Sequence, residues 1–128
     1  MRRIMGWMVL ALVGMVMVAG PAFAGKDPVK VGPNIYHVVL DNDKVRVSEI
    51  HFAPGDQIPM HTHPDHVLYV LSPGTLKLSY PDGKEHTMEA TQGQIVWVPA
   101  ETHAGENIGT TDFRALVVEL KPLPTYDE

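Results

Sequence analysis

The chain has 128 residues, a formal charge of −5 and no cysteine. That length suits one domain, and the acidic balance excludes nucleic-acid binding, which needs a basic face. Without cysteine there is neither a thiolate nucleophile nor a disulfide framework, so stability has to come from a packed core, a closed sheet or a bound metal.

The first predicted element is a signal helix over residues 1–24. Arg2 and Arg3 precede an apolar run from Ile4 to Val18, and Ala22-Phe23-Ala24 places small residues where a signal peptidase reads them. Cleavage is expected after Ala24, which makes the protein periplasmic or secreted. The run is shorter than the roughly 18–20 apolar residues that span a bilayer, and Gly20-Pro21 interrupts it, so no membrane attachment is expected after cleavage. The arginine pair also permits twin-arginine export, ranked behind the general route. Removing residues 1–24 takes away two arginines and no acidic residue, leaving a still more acidic domain.

Residues 25–33 carry Gly and Pro without periodicity and read as a flexible lead-in. From Ile35 the chain changes character. Ile35–Leu40 and Val45–Phe52 are rich in β-branched and aromatic residues and are separated by Asp41-Asn42-Asp43. Ala53-Pro54-Gly55-Asp56 turns into an extended Gln57–His63, where Pro59 predicts an edge or a bulge. Val67–Leu71 is a continuous apolar run, read as a buried strand. Thr75–Tyr80 and Lys84–Ala90 form a hairpin around Pro81-Asp82-Gly83. Ile95–Val98 and Asp112–Lys121 follow, the latter supplying core through Phe113, Ala115, Leu116, Val117, Val118 and Leu120. Eight or nine short strands between Gly/Pro turns, with no helical period, predict an all-β sandwich or barrel over residues 34–121, with a polar tail at 122–128.

The chemistry concentrates in histidines. His61 and His63 are two apart, so on a strand both rings point to one face, about 7 Å apart along the backbone. Pro64-Asp65 turns the chain, and His66 can approach the same point from the side. Neutral imidazole is the commonest protein ligand for Zn, Cu, Ni and Fe. His37, His51 and His86 lack ligand spacing and read as surface or strand residues. Tyr69 and Trp97 read as core or barrel-lining.

Gly55, five residues, His61-Thr62-His63 and closing Gly74 resemble the first conserved motif of the cupin superfamily. Gly93, five residues, Pro99, His103 and Asn107 are similar to the second. The resemblance implies a small single-domain cupin of the type-2 conserved-barrel kind: a double-stranded β-helix, or jelly-roll barrel, in which His61, His63 and His103 bind a divalent transition metal. Two departures stand out. The glutamate ligand of the family motif is absent, and His66 stands near its place, either as a fourth metal ligand or as a contact to substrate. The glycine after Pro99 is missing, with Glu101 near its place.

Four neutral imidazoles give a more positive site than three with a carboxylate, and favour Cu, Ni or Zn over Mn, with Fe a further candidate. Asp65, Glu101 and Glu106 flank the ligand positions, with Glu101 the foremost candidate for a general base or substitute carboxylate ligand. The resemblance covers dioxygenases, isomerases and decarboxylases, so an oxygenase-type or isomerase-type enzyme acting on a small molecule is one expectation. The alternative is a non-catalytic module that binds a small ligand or a metal. Dimers built by strand exchange are also implied.

Overall fold

In the computed structural model, which describes residues 25–123, the turn clusters separate nine strands among the described residues. They are β1 (Tyr36–Asp41), β2 (Val45–Phe52), β3 (Gln57–His63), β4 (His66–Ser72), β5 (Gly74–Ser79), β6 (Glu85–Ala90), β7 (Ile95–Val98), β8 (Glu101–Asn107) and β9 (Phe113–Leu120). The expected signal segment lies outside the described residues. Among the described residues no helix is long and apolar enough to cross a membrane.

All ladders are antiparallel. One sheet runs β1-β2-β9-β4-β7 and the other β3-β8-β5-β6. Their inner faces share one core, in which Ile50, Phe52, Val70, Phe113 and Ala115 of the first sheet meet Ile58 and Leu76 of the second. This is the double-stranded β-helix expected from the sequence.

The motif glycines have separate physical reasons. Gly55 and Gly93 sit at φ +87° and +82°, where an L side chain is strained, and each makes a tight turn into a strand. Gly74 has ordinary backbone, but a Cβ there would stand 2.7 Å from the Cβ of Phe113. Asn107 is buried and ties the far end of the barrel: its Nδ2 donates to Phe52 O and Thr111 O, and its Oδ1 accepts from Gly109 N, all at 2.9 Å.

Three expectations need correction. Residues 25–33 are not featureless: α1 (Pro28–Val31) forms one helical turn, capped by the Asp27 side chain on Val29 N. Val29 and Val31 pack against the core, and both Asp27 oxygens bond Arg46. Tyr69 and Trp97 are neither core nor barrel-lining; they lie on the outer face, with Trp97 55% exposed. The apolar run in β4 hides an ordinary alternation in which His66, Leu68 and Val70 point inward and Tyr69 points out. The same alternation in β9 buries Phe113, Ala115 and Val117 and leaves Leu120 outside, with Leu116 and Val118 only half-buried. The next inward position after Val117 is Glu119, which is buried.

Candidate metal centre

The site begins with a backbone defect. Ile58 pairs with Gly105 and His61 with His103, so β3 carries one residue more than β8 between these pairs. Pro59 has no N–H to give the ladder, and the extra residue is accommodated there as a bulge. The bulge resets the pleat. Ile58, His61 and His63 all point inward, while Pro59 and Met60 point out. Without it the inward set would be 58, 60 and 62. His61 then faces His103 directly across the ladder, ring centroids 4.8 Å apart, and His63 stands 4.7 Å from His61.

His61, His63 and His103 are all buried, and one ring nitrogen from each lies within 4.8 Å of the others. Hydrogen bonds fix most of the tautomers. His61 Nδ1 donates to Pro59 O at 2.7 Å, leaving Nε2 as a buried lone pair with no partner among the described residues. His63 Nδ1 donates to Glu119 Oε1 at 2.9 Å, and its Nε2 accepts from the Tyr36 hydroxyl at 3.3 Å. Burial lifts the Tyr36 hydroxyl far above its ordinary range, so it keeps the proton it donates. His103 Nδ1 also has no hydrogen-bond partner; Glu101 Oε1 stands 3.0 Å away but out of hydrogen-bonding line.

Burial pushes two of the rings toward the neutral form. It takes His61 down to about 4 and His103 to about 3, with the neighbouring histidines adding to the effect. Three buried imidazoles that each bring a ring nitrogen to one point are the kind of donor set a divalent transition ion requires, and two of the rings carry a buried nitrogen with no partner among the described residues. The residues fit a metal.

His66 falls outside this convergent set. It comes from β4 in the opposite sheet and packs on His63 at a centroid distance of 4.6 Å. Its Nδ1 donates to Pro64 O at 2.9 Å, repeating the pattern of His61 with Pro59. Two Pro-x-His segments thus orient two rings by the same local bond, a signal present in the sequence and not read there. Of the flanking carboxylates, Asp65 accepts from Ala100 N at 2.8 Å and Glu106 pairs with Lys77 at 3.2 Å. Glu101 alone of the three reaches the site, and burial raises its carboxyl above the usual range.

Sequence reasoning missed Tyr36, Arg46 and Glu119. Glu119 and Arg46 are register partners on β9 and β2, and His66 pairs with Glu119 on the other side, so the three form one inward row. Arg46 Nε and Nη2 reach Glu119 Oε2 at 3.0 and 2.7 Å. Burial acts to raise the Glu119 carboxyl, but the bond from His63 and the charge of Arg46 outweigh it and hold the group below its ordinary range. The barrel is therefore polar at this end and apolar at the other. Between them lies a cavity of about 70 Å³, walled by the histidines, Leu68, Leu76, Leu78 and Met88.

Residues 48–119 match the cupin domain family Cupin_2, a span that holds every histidine of the site. The β-alanine degradation protein BauB of Pseudomonas aeruginosa is 44% identical over 50 residues, covering 38% of this chain; the chain spans about half the length of that relative, 53%. A crystal structure of a cupin domain from Bordetella pertussis Tohama I is 32% identical at a TM-score of 0.64, covering 69% of this chain and 93% of that one. A double-stranded β-helix protein from Klebsiella pneumoniae is 27% identical at 0.56, covering 67% and 75%. The polyketide cyclase RemF from Streptomyces resistomycificus is 26% identical at 0.53, covering 70% and 66%.

Proposed function

The chain belongs to the cupin domain family, and from that premise we propose that it works through a divalent transition metal held by His61, His63 and His103, on which a small molecule is bound or transformed. The observation that carries this reading is the pair of buried, unpartnered ring nitrogens, His61 Nε2 and His103 Nδ1. A buried polar atom without a partner costs about 1–3 kcal/mol, a cost that a coordinated ion removes. The all-nitrogen set favours Cu, Ni, Zn or Fe. In this reading His66 is a contact beside the ligands rather than one of them.

A metal held here supplies a Lewis-acid position for an oxygen of the small molecule. The chain's own residues do the rest. Leu68, Leu76, Leu78 and Met88 give the cavity an apolar wall. Glu101, raised by burial, is the group placed to exchange a proton with a bound molecule beside His103. Size limits the ligand: about 70 Å³ is well below the roughly 150 Å³ that encloses a benzene ring. The same tightness favours, as a second reading, a module that holds metal without turnover.

Export as a periplasmic or secreted protein remains part of the proposal, supported by the composition of residues 1–24. Self-association is supported by a row of apolar side chains on the outer face, where Trp97, Val67, Val118, Val47 and Leu40 are successive register partners.

The test is titration of the cobalt-loaded protein with small carboxylates, keto acids and azide, followed by absorption. A saturable spectral change supports a metal position open to small molecules. A spectrum indifferent to all of them supports the metal-holding module.

A further inference from the structure

The sequence motifs leave one structural chain unexplained, running from the first described turn to the centre of the barrel. Asp27 Oδ2 and Oδ1 accept from Arg46 Nη1 and Nη2 at 3.0 and 2.9 Å. Arg46 Nε and Nη2 in turn grip Glu119 Oε2, and Glu119 Oε1 accepts from His63 Nδ1. Arg46 and Glu119 both occupy inward positions of their strands, and Glu119 is only 5% exposed.

An isolated buried carboxylate is unstable as an anion, so an inward glutamate needs a reason and a partner. Arg46 is the partner. A purely structural ion pair would be complete with Arg46 alone, yet the second oxygen is aimed at a histidine whose other nitrogen belongs to the convergent set. A carboxylate on the far nitrogen of a ligating imidazole fixes its tautomer and ring angle and raises its basicity.

Resting on the metal reading above, we propose that Glu119, held by the Arg46–Asp27 clamp, is a positioning residue that presents His63 Nε2 to the metal and lends negative charge to an otherwise neutral set of ligands. The proton order is consistent throughout. Arg46 donates to Glu119, His63 Nδ1 donates to Glu119, and His63 Nε2 is left as the lone pair that the Tyr36 hydroxyl covers at 3.3 Å. An ion at Nε2 would take the place of this hydrogen bond. The clamp also links the first turn of the domain to the site, since α1 is capped by the same Asp27 that holds Arg46.

The experiment compares the full chain with Glu119→Gln, using Co(II) alone as the probe. Affinity is measured by competition with a chelator, and the absorption spectrum reports coordination. Loss of affinity by about 10- to 100-fold with an altered spectrum is expected. A separate measurement needs no metal and no variant: nitrogen-15 NMR of the metal-free protein is expected to find His63 protonated at Nδ1 and bare at Nε2. Equal affinity and an identical spectrum in Glu119→Gln overturn this proposal and leave the metal reading standing, as does a His63 protonated at Nε2. Failure of the unaltered protein to bind Co(II) overturns the metal reading and this proposal with it.

Discussion

His61 and His103 face each other across the β3–β8 ladder with ring centroids 4.8 Å apart, and each has a buried ring nitrogen that bonds to nothing among the described residues. The pairing exists because Pro59 forces a bulge one turn of the pleat earlier, which swings His61 and His63 inward together. Two unpartnered buried nitrogens on facing rings in a barrel core destabilise the fold unless something binds them. That relationship is the physical basis for proposing a metal here.

Replacing His61 with leucine should therefore separate stability from metal binding. The variant loses metal but also loses an unsatisfied polar atom, so its metal-free stability is expected to stay within about 1 kcal/mol of the parent or to rise. Added metal should stabilise the parent, by about 2.7 kcal/mol at a hundredfold excess over Kd, and leave His61→Leu unmoved. Thermal melts with and without metal read both effects.

Acid should weaken the metal-free fold. His61 and His103 titrate at about 4 and about 3 in the folded protein, below the ordinary imidazole value of about 6.5. The unfolded chain then binds more protons than the folded one within that window. Stability is full above about pH 6.5 and falls as pH drops toward 4 and then 3, by a total on the order of a few kcal/mol. Denaturant titrations across that range check the sign. Bound metal should move the loss to lower pH, because the ion competes with protons for the same nitrogens.

Gly74→Ala tests packing rather than chemistry. The added methyl meets the Cβ of Phe113 at 2.7 Å, and Phe113 is fully buried, so neither can move freely. Overpacking of this kind costs about 1–3 kcal/mol. Gly55→Ala has open space around it and fails for a different reason, the positive φ, with a cost of roughly 1–2 kcal/mol.

Glu101→Gln distinguishes two roles for that carboxylate. Glu101 stands 3.0 Å from His103 Nδ1 but is not among the three residues whose donors converge. The amide should keep Co(II) affinity within roughly threefold of the parent, against the 10- to 100-fold loss expected for a group that supports a ligand. A loss of about 10- to 100-fold would instead make Glu101 a support for His103, and a loss beyond that range with a changed Co(II) spectrum would make it a ligand.

The fold was legible because turns and alternation are local. Gly/Pro clusters marked most strand boundaries and Pro59 announced the bulge, but β8 (Glu101–Asn107), which carries His103, was not read as a strand. His61, His63 and His103 could be tied together because both motifs carry fixed offsets from their glycines. What escaped was whatever depends on the phase of an apolar strand. Val67–Leu71 looked buried on both sides, so Tyr69 was placed inside when its side chain points out. In β9 the run Leu116–Leu120 hid Glu119, although counting by twos from Phe113 through Ala115 and Val117 lands on it. A charge at an inward phase is the signal, and Arg46 in β2 is the same signal on the neighbouring strand. His66 was read as a fourth ligand; the structure packs its ring on His63 from the opposite sheet, and the convergent group holds only His61, His63 and His103.

The most direct measurement is elemental analysis of the protein purified from its native compartment without added metal, alongside His61→Ala and His103→Ala prepared identically. One transition-metal ion per chain in the parent, lost in both variants, is the expected result. A parent free of metal, with the same melting temperature as the two variants and no gain on adding Zn, Cu, Ni or Fe, would contradict the metal centre.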